Sequence, residues 1–542
     1  MDWIKKMRWK AVETKEPVLE EDDGLETPDE KRRRWRSVRV IYFTMFLMSL
    51  GFSVVLTAVW PFLDKLDPNA GKEFMGYVVA ANPLGQMLFS PLVGWWANKS
   101  GSIRLPLLFT LLLFIISSAM HAFLEVFDDH RKYWMLWSRF LVGVSSANIA
   151  AARSYLSAAT RLKERTGAIS IVSLAQVLGF VVGPILQAAV TPLGEDGIEI
   201  VGRLKLNMFT ATGWINVILG VINFALFLPF CFKEHKIAAR EVMLHKGMNS
   251  EKEAWKSIKP DYLTCWTLII AFFILVFNFV LVETLGTPLT MDQFGWSKIQ
   301  SLYYMGIIMS VGAVIACLVF VITIPMTKIF AERKLMLWGG FLITMMASLF
   351  LMPWGPDSPK MAIPQNLTFG DLRELAASAQ YANFTMEEII ANLTMPGEIV
   401  LGCPITQTWC EYTPALTVLQ LCIAYVCASI GYPLGVTLIQ TIFSKILGPR
   451  PQGVWMGLMT GSGCLSRVMG PVFVGYVYSR LGPIWTFSIT TGVMIVSMAW
   501  IQIVSNRLIP PDICDKPATE LQELNVTKPQ TNGANPANGV KN

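Results

Sequence analysis

The sequence predicts an all-α membrane protein, with twelve transmembrane helices arranged as two pseudo-symmetric six-helix bundles. Four observations carry that prediction. Hydrophobic residues make up 53% of the 542 and charged residues only 15%, against about 25% charged in an average soluble domain. The apolar residues gather in runs of ~20, the length that crosses a hydrocarbon core, and only helices make spans of that length. Lys and Arg crowd alternate loops, and the fifth and eleventh runs repeat one another.

The spans follow in order. A hydrophilic, charged tail, 1–37, reads as disordered, and with no signal-peptide pattern ahead of the first run it is expected to stay cytosolic. Span one, 38–63, places Ser49 and Ser53 on one face, and span two, 73–97, does the same with Asn82, Gln86 and Ser90. Span three, 105–127, contains LPLLFTLLLFIISSAMHAFL; span four, 133–160, is interrupted by Arg139 and Arg153. Spans five (167–193) and six (207–232) complete a first bundle, 38–232. A polar stretch at 233–260 is the linker, and the second bundle takes 261–506. Its spans are seven (261–288, with Glu283), eight (299–323), nine (335–352), ten (414–443), eleven (453–478) and twelve (484–506). The tail at 507–542 again lacks apolar periodicity and reads as disordered and cytosolic.

Orientation follows from the basic residues. The flank KRRRWRSVR holds six, and the loops on its side, with Arg507, hold eighteen more; the opposite loops together hold ten. Both termini are therefore expected in the cytosol. The long loop 353–413 then faces outward or into a lumen. It carries the acceptor motifs NLT at Asn366, NFT at Asn383 and NLT at Asn392, which are glycosylated only on that side. Cys403 and Cys410 lie in the same loop and suit a disulfide in an oxidising compartment. The sequons at Asn98 and Asn525 fall on the cytosolic side and are expected to be silent.

Span five reads RTGAISIVSLAQVLGFVVGPILQ and span eleven PQGVWMGLMTGSGCLSRVMGPVFVGY, so Gly183-Pro184 matches Gly470-Pro471. Small residues let membrane helices approach closely. Equivalent elements in two six-helix halves indicate an axis along the membrane normal, with a binding site near the midplane between the halves. The loop GWWANKSGSIR, Arg139-x-x-x-Gly143 in span four and Gly179-x-x-x-Gly183-Pro184 in span five resemble three motifs of the major facilitator superfamily. The loop departs from its motif: Asn98 stands for the acid and Lys99 for the arginine. The segments ARSYLSAATRLKERT, ETLGTPLTMDQFGW, GCPITQTWCEYTPAL and SKILGPRPQGVWMG further resemble the ceroid-lipofuscinosis-type lysosomal members of that superfamily. The resemblance implies a late-endosomal or lysosomal membrane protein with a glycosylated lumenal loop, and an anion (chloride) permeability. The acidic dileucine of such members is represented only by Val18-Leu19 in ETKEPVLEED, so the plasma membrane is the alternative residence.

Four strong charges fall inside the predicted spans: Arg139, Arg153, Glu283 and Arg467. Intramembrane ionisable residues face the bundle interior or a wet cavity and are functional candidates by default. On a straight helix, Arg139 and Arg153 would share a face with Gly143, Ser146, Ala150 and Ser157, about 21 Å apart along the axis. Arg139, Arg153 and Arg467 are the candidate anion path and Glu283 the candidate proton-coupling site. Ser49, Ser53, Asn82, Gln86, Ser146 and Thr287 are the candidate cavity lining. The competing readings are structural: Arg139 as a brace, Arg153 paired with Glu283 or a carbonyl, Arg467 bonded to carbonyls freed by the Pro471 kink, and Gln176 and Gln187 as helix–helix glue.

The expected function is a secondary transporter of a small organic or inorganic anion, coupled to protons. The alternatives are a passive anion channel on a transporter fold and a non-transporting scaffold or receptor. No nucleophile–base pair, phosphate loop or metal cluster is evident, so no enzyme, cofactor, metal or nucleic acid is expected. The chain is expected to work in the bilayer as a monomer.

Overall fold

The computed structural model describes residues 25–362 and 401–509, apart from 69, 202–203, 249, 258, 356–357 and 405–406. Asn366, Asn383 and Asn392, Val18-Leu19 and most of both tails lie outside the described residues.

Among the described residues there are twelve helical crossings. Span one is Pro28–Leu56, continued by Val59–Leu66; spans two and three are Gly71–Ser100 and Arg104–Ala122. Span four comes in two pieces, Arg131–Ser145 and Asn148–Ala158. Spans five to eight are Arg165–Val190, Thr210–Leu226, Tyr262–Phe294 and Lys298–Ile329. Span nine passes from a π-helical stretch, Leu335–Phe341, into Leu342–Phe350, and span ten is Val418–Leu447. Span eleven, Gly453–Phe473, runs through π-helical Val474–Tyr478 into Ser479–Val504, where Gly482 at φ 80° breaks the chain ahead of span twelve. Seven helices are long and apolar enough to cross a membrane by length and composition alone. Spans two, four, six and nine fall short because they carry prolines and amides, are broken, or are brief.

Three features were not in the sequence reading. Span one begins at Pro28, because Thr27 and Glu30 form a capping box. Short helices, Ile237–Lys246 and Glu251–Ser257, occupy the linker, and a hairpin, Ile198–Val201 with Leu204–Leu206, joins spans five and six.

The linker and the starts of spans one and seven share one side, called here the linker side. There Lys233 N–H donates to Ser37, and Arg507 pairs with Asp261. The Cys403–Cys410 disulfide marks the opposite side. Each large apolar core cluster lies wholly within one half: two in the first bundle and two in the second. Between the halves the contacts are of another kind. Gly453, Gly457 and Gly461, at i, i+4 and i+8, lay span eleven against Gly94, Ser90, Pro91 and Met87 of span two. A Cβ on Gly457 would stand 2.5 Å from the Ser90 carbonyl oxygen, and one on Gly453 would strike the Gly94 carbonyl.

Polar contacts on the linker side complete this clasp. Gly453 N–H donates to Asn98 Oδ1 at 2.9 Å. Arg165 donates to the Ser444 carbonyl at 3.1 Å and to the Ser157 carbonyl at 2.8 Å. The Ser444 and Ser157 hydroxyls meet at 2.7 Å. Thr166 donates to Glu332 at 2.6 Å, and Lys445 pairs with the same carboxylate at 2.7 Å. Towards the disulfide side the halves part: Gly76 and Gly475 of the same two helices have nothing near a Cβ position.

The start of span one is tied down separately. Arg34, 1% exposed, pairs with Glu26 at 2.7 Å and Glu164 at 2.9 Å. It also donates to the Ala159 carbonyl at 2.9 Å. Burial alone would raise the Glu26 carboxyl, but the hydrogen bonds and charge of Arg34, with Arg161 and Lys31, hold it below its ordinary value of 4.5.

Two outcomes follow. Overpacking a close contact costs about 1–3 kcal/mol, so Gly453→Ala should shift the chain towards a state open on the linker side. A cysteine introduced at Ser444 would then be labelled faster from that side in Gly453→Ala than in its parent; equal rates would refute the clasp. Removing Arg34 leaves two acids without their cation, a loss of about 3 kcal/mol. Arg34→Met should therefore melt well below the parent at neutral pH. A depressed carboxyl stabilises above its unfolded pKa and ceases to as pH falls through the folded value. The gap in Tm between parent and Arg34→Met should accordingly narrow below pH 4.5.

Candidate functional site

Span four decides where the two arginines go. Ser145 and Ser146 both turn their hydroxyls onto the Val142 carbonyl, at 2.6 and 2.9 Å. Such back-bonding bends helices, and here the helix breaks between Ser145 and Asn148. Arg139 and Arg153 therefore do not share the face that a straight helix would give them.

Arg139 is 2% exposed, with its guanidinium 5.5 Å from the Phe52 ring centroid. Its Nε and Nη2 find no hydrogen-bond partner among the described residues. It is embedded in the first bundle, within electrostatic reach of His121. Arg153 points the other way, into the space between the halves. It donates to Gln176 Oε1 of span five at 3.2 Å and to Thr460 Oγ1 of span eleven at 3.4 Å. Its partners are neutral, so its charge is bonded without being cancelled.

Arg467 and Glu283 come from spans eleven and seven and lie within electrostatic range of each other. Both side chains are exposed although they stand deep in the bundle, as residues lining an internal water-accessible space do. Arg467 lies within electrostatic range of Tyr432 of span ten and of Arg153. Tyr432 in turn stacks on Phe279, ring centroids 3.9 Å apart. Tyr425 closes the neighbouring turn by donating to the Val282 carbonyl at 2.9 Å. Among the described residues the central space thus brings together Arg153, Arg467 and Glu283, with Arg139 set apart from them. Arg153 sits just beyond the glycine clasp, and Arg467 and Glu283 lie nearer the disulfide side.

The other candidates stand in seams between helices. Ser53 donates to the Phe180 carbonyl at 2.8 Å, and Ser49 packs on Gly179. The backbone of Asn82 meets Gly143, and Gln86 donates to the Ser146 carbonyl at 3.3 Å. Ser301 of span eight donates to the Thr287 carbonyl at 3.2 Å. Gln187 donates to the Met208 carbonyl at 3.3 Å. Sequence reasoning did not single out Thr460 and Tyr432, since an uncharged residue in an apolar run gives no signal of its own. It also ended span seven too early. The helix continues to Phe294 and buries Asp292, which accepts from Tyr478 at 2.9 Å. Among the described residues no group of three or more His, Cys, Asp or Glu could hold a metal.

The Major Facilitator Superfamily model matches residues 41–370 and 399–523. Major facilitator superfamily domain-containing protein 8 of Xenopus laevis is 37% identical over 506 residues, covering 91% of this chain and 96% of that protein. Multidrug resistance protein 2 of Bacillus subtilis (strain 168) is 28% identical over 284 residues, 52% of this chain and 65% of that one. Among solved structures, the human organic anion transporter MFSD10 superposes with a TM-score of 0.57 at 15% identity, covering 88% of this chain and 100% of that chain. The proton:xylose symporter XylE gives 0.59 at 12% identity, over 91% of this chain and 99% of that one. At such identities the structural likeness speaks for the fold.

Arg139 offers a direct test of how the first bundle carries an unpaired cation. Taking a charge out of water costs several kcal/mol, and an apolar side chain of similar volume does not carry that cost. Arg139→Met should keep or raise the Tm of the purified protein. A clear fall would mean that Arg139 holds the bundle together.

Proposed function

The chain belongs to the major facilitator superfamily, and on that premise we propose that it is a secondary transporter of a small anion, inorganic or organic, coupled to protons and resident in the late-endosomal or lysosomal membrane. The observation that carries this reading is the convergence of Arg153, from the first half, and Arg467, from the second, on one water-accessible space shared with Glu283. A planar guanidinium suits carboxylate or phosphate and also holds chloride. Two cations against one anion raise the local concentration of anions.

Coupling follows from competition. An ionised Glu283 satisfies Arg467 and leaves it a poor anion site. A proton on Glu283 releases Arg467, and an anion takes the place of the carboxylate. Proton and anion then occupy the site together and leave together, so the two move in one direction. An acidic lumen loads both. The linker side is read as cytosolic, with Asn366, Asn383 and Asn392 glycosylated in the lumenal loop. The lysosomal residence rests on the segments shared with lysosomal members of the family.

The test is anion flux in proteoliposomes containing the parent, Arg153→Ala or Glu283→Gln, with and without an inward acid gradient. The expected result is flux that needs the gradient in the parent, loses that need in Glu283→Gln, and falls at least tenfold in Arg153→Ala, the change expected from about 1.4 kcal/mol at the site. Current that ignores the gradient yet falls in Arg153→Ala would make the protein a passive anion channel. That alternative draws on Asn98, which gives the clasp a neutral contact where the loop motif has an acid. Absence of chloride and organic-anion flux from every variant would turn the search to neutral solutes or to a scaffold.

A further inference from the structure

The first turns of span one carry a feature that transport does not use. Arg32, Arg36 and Arg39 stand at i, i+4 and i+7, followed on the same helix face by Val40 and Phe43. The opposite face, with Arg34, Ser37, Val38 and Ile41, is buried in the first bundle. All three guanidiniums are exposed, and none is ion-paired among the described residues; Arg39 bonds only the Trp35 carbonyl, at 3.3 Å. Like charges at this spacing repel one another. Among the described residues no ion pair offsets that repulsion.

These side chains line a cavity of about 440 Å³, whose far wall is Leu226, the last residue of span six. Spans one and six are pinned together one turn deeper by Thr44, which donates to Asn223 at 2.9 Å. Beyond the pin the surface changes character. Phe43, Val221 and Ile222 are exposed apolar residues, as on a flank that meets hydrocarbon. This open recess therefore sits where the apolar belt gives way to the headgroup layer, bounded by three arginines and by Val40, Phe43 and Leu226.

We propose that this cavity binds the headgroup of a polyphosphorylated anionic lipid, a phosphoinositide, whose acyl chains run along Phe43 and the outer face of span six. Arginine forks bind phosphate oxygens in pairs, and three of them can serve more than one phosphate. A basic pocket between membrane helices on the cytosolic side is the chemistry such headgroups need. The inference rests on the function proposed above only in taking the linker side as cytosolic, and it is independent of what is transported.

The test uses the full chain in phosphatidylcholine-supplemented detergent micelles, where either side of the protein is reachable and orientation plays no part. Binding of a fluorescent phosphatidylinositol bisphosphate is followed by polarisation, against phosphatidylserine and against soluble inositol trisphosphate. The phosphoinositide should bind more tightly than either. The combined Arg32→Gln, Arg36→Gln, Arg39→Gln variant should bind it roughly a hundredfold more weakly, at about a fivefold loss for each charge. If that variant does not fold, Arg36→Gln alone should show the single fivefold step. An unchanged affinity, or equal binding of phosphatidylserine, would overturn the proposal. Equal binding of the soluble headgroup would overturn the lipid assignment in favour of a free phosphate. None of these readings changes if the anion flux test fails.

Discussion

The structure depends on how closely spans two and eleven approach each other. Gly94, Gly453, Gly457 and Gly461 let two backbones touch on the linker side. In a bilayer the hydrophobic effect does not press helices together, so close van der Waals packing must do it. Because no large apolar core among the described residues crosses between the halves, they are joined by this seam, by the packing of span five on spans eight and ten and of span four on span eleven, and by a few hydrogen bonds. An interface of glycine backbone can part without exposing a greasy surface. The central space is closed at one end by a contact that is tight yet small.

The polar contacts at the clasp follow the duplicated architecture with one asymmetry. Asn98 accepts from the first turn of span eleven, and Glu332 accepts from Thr166 in the first turn of span five. Each loop side chain sits at the positive end of the other half's helix, where a negative charge is worth about 0.3–1 kcal/mol. The acid is present at one of the two places and replaced by an amide at the other. Lys445 adds its own pair with Glu332, so the charged latch lies on the five–eight–ten corner. The two–eleven corner relies on shape.

Much of this was legible in the sequence, and the reasons for the rest are physical. Run length and basic-residue bias are properties of the bilayer as solvent, so the helices and their order could be read. The glycines of span eleven were visible as a repeat of span five. The bend in span four was not, because two serines in a row are ordinary until their hydroxyls choose backbone acceptors. That bend separates Arg139 from Arg153 and reduces the central cations from three to two. Arg153 was readable as a charge, but its neutral partners Gln176 and Thr460 lie on two other helices, and pairing across helices leaves no local trace. The seams that hold Ser49, Ser53, Asn82 and Gln86 show the same limit. Helical spacing says which residues share a face, not what that face meets.

In the proposed function the site and the clasp act as one device. A ligand shifts a two-state equilibrium by no more than its difference in affinity for the two states. An anion held by Arg467 alone would touch one half and favour neither. Arg153 changes that, because its guanidinium already spans the halves through Thr460 and Gln176, and it lies next to the glycine seam. An anion that draws Arg153 away from Thr460 removes a contact between halves at the level where the clasp begins. On the proposed reading, neutralising Glu283 would allow Arg467 to take part in holding that anion. In the proposed transporter, binding, proton and opening would then be linked through a single side chain, with the coupling set by how strongly Arg153 prefers the anion to its two neutral partners.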